Sequence, residues 1–234
     1  MTRLIIPEGD FEPIMLQIAY CLGAIAVGIA LNAASNRILP TDFVDGSPRW
    51  MWYHTQAFQL MVAPALVCWA WAGHSFALGW LTLPRASLAL RERVLVRAFV
   101  GFFAKDLTED QQPLYHMHHV VCAAMCFGAL LVPRAGPMVL AGAAVLEFGS
   151  GFFGQTRLFP GSSRTWNLYL VMMSLSNVVT ALMVLQMQQI EALPLVVKCA
   201  YTVLVVIMIG MRQETAVREW RNARKGGAAA KERV

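Results

Sequence analysis

Three histidines in four positions, His116, His118 and His119, open an apolar stretch that runs from Val120 to Val132. Imidazole titrates near neutrality and is costly in a bilayer, so adjacent histidines at the head of an apolar helix mark a candidate reactive site. Helical spacing of three and four puts His119, Cys122 and Cys126 on one face and sets His118 four positions before Cys122. Two chemistries fit such a set. In acyl transfer, a neutral imidazole attacks a thioester or acts as a base. In metal or haem ligation, the ring nitrogens are donors to the metal. The plain alternative is a group of interfacial histidines hydrogen-bonded to neighbouring helices.

Glu147 lies in the middle of a later apolar stretch, where a carboxyl must be neutral, paired or facing water. Its natural partner is the histidine set on the preceding helix, because a carboxylate bonded to one ring nitrogen holds the tautomer and raises the basicity of the other. A protonated glutamate bridging two helices is the structural alternative. Asp106, at the end of a short segment, and Ser150, three beyond Glu147, complete the polar set, with local capping or packing as the alternative. His118, His119, Glu147 and Asp106 are thus the candidate catalytic residues. His116, Cys122, Ser150 and Phe152 are the candidates for contact with substrate, and no metal site is assigned. Gly149, Gly151 and Gly154 spell GxGxxG, but no strand precedes them. They read as small residues that let helices approach beside Glu147, not as a dinucleotide site.

The composition shows what kind of element must hold these side chains. Of 234 residues, 57% are hydrophobic and 14% charged, with a mean hydropathy of +0.52. Several apolar stretches reach the roughly 20 residues that cross a bilayer core. The chain reads as an all-α integral membrane protein, a polytopic transmembrane helical bundle in a single domain, residues 1–234. Cys21, Cys68, Cys122, Cys126 and Cys199 all fall in expected spans, which argues against a secreted disulfide framework.

The first span follows Pro13 and reaches Ala34; the second runs from Tyr53 to Gly73. Segment three is crowded by Arg91, Glu92, Arg93 and Arg97 at its start and by Lys105 and Asp106 at its end. It either crosses or forms a short, partly buried helix. Further spans run from Leu114 to Pro133, from Pro137 to Phe153, from Trp166 to Met187 and from Leu195 to Met211. The total is about seven spans, or about six if segment three does not cross. Ser75 to Pro84 is apolar but too short to cross alone.

Much of the net charge of +5 comes after Met211, from Arg212, Arg218, Arg221, Arg224, Lys225, Lys231 and Arg233. This basic tail, 212–234, belongs in the cytosol by the positive-inside rule, so no nucleic-acid partner is needed to explain it. Either span count also puts the start of the fourth span, with its histidines, near the cytosolic side. Glu8, Asp10 and Glu12 replace the basic-then-apolar leader of a cleavable signal, so the first span is the expected targeting signal.

Taken in order, Gly101-Phe-Phe-Ala-Lys-Asp106, then His118-His119 at the head of a helix, then Glu147 with Ser150, Phe152 and Phe153, resembles the TLC-domain family. That family includes ceramide synthases and many smaller homologues. The resemblance covers roughly residues 50–211. It implies a membrane barrel of helices around a lipid-accessible cavity, with the paired histidines at the reactive centre and long-chain acyl-CoA as donor. It also implies an intracellular membrane such as the endoplasmic reticulum, lipid as partner and no cofactor beyond acyl-CoA as substrate, and leaves a homodimer open. Ceramide synthases carry two aspartates in the helix after the histidines, whereas this chain has only Glu147 there. It is closer in that respect to the small TLC-domain proteins linked to membrane lipid composition. The cluster His116-Met117-His118-His119 is also similar to the histidine box of very-long-chain fatty acid elongases, one spacer short. The expected function is therefore lipid acyl transfer, with a non-enzymatic lipid-binding regulator of membrane lipid composition, or a metal- or haem-binding membrane protein, as the alternatives.

Overall fold

The computed structural model describes residues 14–39, 42–82, 88–108, 113–132, 134–191 and 193–231. Most of these are helical, joined by turns and by one antiparallel pair of two-residue strands. They form two compact units, one from the described residues of Met1–Ile38 and Leu66–Ala141, the other from those of Leu39–Ala65 and Gly142–Val234.

In the first unit, α1 (Ile14–Ile38) and α5 (Pro113–Leu131) both pack against α4 (Leu90–Lys105). Segment three is thus a buried helix of 16 residues, with Leu95, Val96, Phe99 and even Glu92 at 0% exposure. A buried acid is tolerable only when it is bonded. Glu92 accepts from the Trp80 indole at 2.6 Å, from the Ala89 amide at 2.8 Å and lies 3.1 Å from His74 Nε2. The arginines that make this segment look unfit for a membrane are held by neighbours. Arg97 donates to Gln17 at 3.1 Å and stacks over Tyr20, while Arg91 donates to the Trp69 carbonyl and covers its ring. Helices α1 and α4 meet backbone to backbone, since a Cβ on Gly101 would stand 2.9 Å from the Ala24 carbonyl oxygen. That closeness needs glycine.

The second unit begins with a hairpin, β1 (Phe43–Val44) and β2 (Ser47–Pro48). Asp45 and Gly46 both have positive φ, 53° and 79°, the backbone of a two-residue turn that an Asp-Gly pair favours. Arg49 pairs with Asp42, whose carboxylate holds the guanidinium above its ordinary range, and Trp52 donates to the Val44 carbonyl at 2.9 Å. From there α2 (Arg49–Ala57) passes through one π turn (Phe58–Val62) into α3 (Ala63–Ala72). Pro64 explains the wide turn: it has no amide hydrogen to give to the turn before it and crowds the carbonyl there. The Ala63 amide accordingly reaches back five residues, to Phe58.

The rest of the second unit is α6 (Gly136–Leu158) from Gly142 onward, α7 (Ser163–Gln188) and α8 (Leu195–Lys231). The glycines of the GxGxxG phrase seat neighbouring helices, as expected of small residues. A Cβ on Gly149 would overlap Ser176 Oγ, one on Gly151 would meet Leu60 at 2.5 Å and one on Gly154 would meet Gln56 at 2.9 Å. The basic stretch after Met211 continues α8 as helix. Ala216 is fully buried against Trp166, Tyr169 and Met173, and Arg212 is only 9% exposed.

Four helices are long and apolar enough to cross a membrane: Met15–Ile38, Gly136–Leu158, Ser163–Gln188 and Leu195–Lys225. The apolar part of α5, His116–Leu131, is shorter. Helix α7 shows what this means for its surroundings. Leu168, Val171, Leu175, Val178, Leu182 and Leu185 form an exposed apolar stripe at helical spacing, while Ser176, Asn177 and Thr180 face inward. A helix with its greasy side out and its polar side in is built for lipid, and the chain is an integral membrane protein on that ground.

Candidate functional site

The end of α4 and the start of α5 build one cluster inside the first unit. Phe99 and Phe103 are one turn apart and stack, which turns Phe103 toward α5, where its ring lies 6.3 Å from that of His118 and 5.8 Å from that of His119. The two imidazoles are themselves 5.6 Å apart, tilted by 52°. Lys105 and Asp106, the last residue of α4 and its cap, pair directly, and both are buried. The Lys105 ammonium also sits 4.9 Å from the Phe102 ring, and its carbonyl accepts from buried Asn32 of α1 at 3.2 Å. The phrase Gly101 to Asp106 is therefore a single device. Its glycine brings α1 close, its second phenylalanine, Phe103, lies against both histidine rings and its last two residues supply a buried ion pair.

Asp106 Oδ2 lies 3.8 Å from His119 Nδ1, an ion-pair contact longer than a hydrogen bond. A carboxylate at Nδ1 favours the proton on that nitrogen and leaves Nε2 with its lone pair. His118 faces Cys122 one turn on, with Sγ 3.7 Å from each ring nitrogen. Residues His116, His118, His119, Cys122 and Asp106 all belong to this unit, with His116 half-buried.

Glu147, Ser150 and Phe152 belong to the second unit. Glu147 is 3% exposed and accepts from Gln59 Nε2 at 2.6 Å. Gln59 sits in the π turn, so the widened helix presents the amide that meets the acid. The Ser150 hydroxyl accepts from Arg212, whose guanidinium also donates to the Leu146 carbonyl at 2.7 Å, to Asn177 at 3.2 Å and to Ser176 at 3.3 Å. Phe152 packs edge-on against Phe148 and joins the apolar cluster around Tyr169. Within the first unit the carboxyl beside the paired histidines of α5 is Asp106, whereas Glu147, the acid that the sequence analysis pairs with them, meets Gln59 in the second unit.

Sequence reasoning passes over Lys105, Asn32, Glu92, Gln59 and Arg212 as site or core residues. Lys105 reads as a charge ending a segment and Arg212 as the first residue of a tail. Pro64 is the one signal that marks the turn carrying Gln59. Among the described residues no group of three or more His, Cys, Asp or Glu side chains is placed to hold a metal ion. No protein-family model, no curated protein and no solved structure matches this chain. The resemblance to TLC-domain proteins rests on the quoted residues alone.

Proposed function

We propose that this chain is a membrane-embedded lipid acyltransferase of TLC type, which moves a long acyl chain from acyl-CoA to a lipid acceptor. The observation that carries this reading is the buried Asp106 beside His119, with His118 as its immediate neighbour. Asp106 orients His119, so that Nε2 takes the acceptor's proton as the acceptor attacks the acyl carbonyl, directly or through an acyl-imidazole. The 3.8 Å contact closes to a hydrogen bond when substrate arrives.

In this reading α2 with α3, α4 and α5 cross the membrane together with the four longer helices. Helix α4 runs in the same sense as α1, with Arg97 at Gln17 and Lys105 at Asn32, which supports the seven-span arrangement, with the basic tail and the histidine end of α5 in the cytosol, where acyl-CoA is found. The outward apolar faces would meet the acyl chains of an intracellular membrane such as the endoplasmic reticulum. One observation favours the non-enzymatic alternative, a lipid-binding regulator: Lys105 already neutralises Asp106, which leaves less charge to orient a histidine.

Purified protein with radiolabelled palmitoyl-CoA and a total membrane lipid extract decides between them. Release of CoA with label entering lipid, abolished in His119→Ala and reduced roughly 100-fold in Asp106→Asn, is the expected result. Tight retention of label as intact palmitoyl-CoA or lipid, with no turnover, selects the lipid-binding reading.

A further inference from the structure

The Cys122 thiol is a nucleophile that the mechanism above leaves unused. It is 7% exposed, one turn after His118 on α5, and its sulfur is equidistant from both nitrogens of that ring. Such a sulfur sits beside the ring and not in line with one N–H, so a modest rotation of the imidazole brings a nitrogen onto the thiol proton. Thiolate, not thiol, attacks an acyl carbon, and a neighbouring imidazole is the group that generates it. His118 lies against Phe103, as does His119, and Cys122 follows His119 by three positions on the same helix, so nucleophile, base and second base share one corner of the unit.

Resting on the acyltransferase reading, we propose that Cys122 is the covalent acyl carrier of this site and His118 its base, the donor being a long-chain acyl thioester. A His118 ring nitrogen takes the S–H proton, and the thiolate adds to the thioester carbonyl. The acyl C–S bond to CoA then breaks, and the departing CoA thiolate takes the proton back from the imidazolium. One thioester replaces another, so no oxidant or reductant is required. His119, held by Asp106, serves the second half: it takes the proton of the lipid hydroxyl or amine that attacks the Cys122 thioester, and the Cys122 thiolate is the leaving group. The two adjacent histidines, whose side chains diverge by about 100° on the helix, thereby have separate tasks.

The test uses the full-length protein in nanodiscs, with Cys68→Ala and Cys199→Ala to remove the exposed thiols, and radiolabelled palmitoyl-CoA. Acid-quenched protein is expected to carry label on the peptide containing position 122, released by neutral hydroxylamine. Cys122→Ala should carry none, and Cys122→Ser should carry a hydroxylamine-resistant oxygen ester. His118→Gln should acquire label roughly 100-fold more slowly, with a rate that rises steeply toward alkaline pH as the thiol ionises unaided. Because Cys122→Ser is nearly isosteric, its thermal unfolding alongside the parent shows whether a loss of label is a loss of fold. Label on His118 or His119, or CoA release by Cys122→Ala at the parental rate, overturns this proposal and leaves the acyltransferase reading standing. Absence of both label and CoA release in the parent overturns that reading, and this one with it.

Discussion

At the scale of single residues, the decisive feature is that Asp106 has two neighbours of different kinds, the Lys105 ammonium and the His119 ring. Removing one member of a buried pair strands the other's charge, while replacing both with uncharged groups of similar size costs far less. Asp106→Asn is expected to destabilise the protein by about 3 kcal/mol, and Lys105→Met with Asp106→Asn by about 1 kcal/mol or less. Thermal unfolding in detergent measures both, and equal losses would contradict the coupling. The chemistry-bearing residues are legible from sequence to an uneven degree. His118, His119 and Asp106 stand out because ionisable side chains in apolar stretches are expensive, and the fold brings Asp106 and His119 together. Their pairing is hidden, because the acid caps α4 and the histidine lies on α5, and the spacing of residues along one helix says nothing of how the next helix packs against it. Glu147 stands on the helix after the histidines, and its partner Gln59 is about ninety positions away in sequence, beyond the reach of spacing arguments.

At the scale of elements, glycine decides where helices touch. Gly149 faces Ser176 with no room for a methyl group, whereas nothing lies within 4 Å of the Cβ position of Gly128. Gly149→Ala is expected to destabilise by about 1–3 kcal/mol through overpacking. Ser176→Gly in the same chain should restore part of that loss, and Gly128→Ala should be neutral or stabilising by up to about 1 kcal/mol. Unfolding midpoints of the three variants and the parent test the pattern, and a Gly149→Ala protein as stable as the parent would refute the contact. Helix identities follow from hydropathy, and the ends drawn from Pro13, Trp166 and Leu195 lie close to those of α1, α7 and α8. Segment three is ambiguous for a physical reason. Hydropathy records that Arg91, Glu92 and Arg97 are charged and cannot record that Trp69, Trp80 and Gln17 receive them. The hairpin at Asp45-Gly46 carries its own signal, an Asp-Gly pair, which is easily missed when the surrounding loop is read only as polar.

At the scale of the whole molecule, the basic end of the chain is structural as far as Ala216 and Glu219. Arg212 bonds to oxygens of two helices, α6 and α7, Ala216 fills the Trp166 cluster and Glu219 receives Arg157, which also reaches Asp45. A chain ending at Met211 is therefore expected to lose most of its folded yield, while one ending at Arg224 keeps it. Size-exclusion profiles of detergent-solubilised protein distinguish the two, and a well-folded product ending at Met211 would show that this stretch is only a tether. Charge counting locates the segment correctly at the end of a span but reads all seven cations as solvated. Burial of the first of them depends on Ser150, Ser176 and Asn177, polar residues dispersed through two other helices.

The wide turn at Phe58–Val62 gives the rod 49–72 one amino acid more than an unbroken α-helix of the same rise would hold. Losing a single codon there would leave the two flanks in phase, whereas a loss elsewhere in the rod would swing every later position by about 100°. Length and orientation are uncoupled at this place, which makes it a hinge for divergence: a lineage gains or discards the amide that meets Glu147 by one insertion or deletion, with the flanking helices undisturbed.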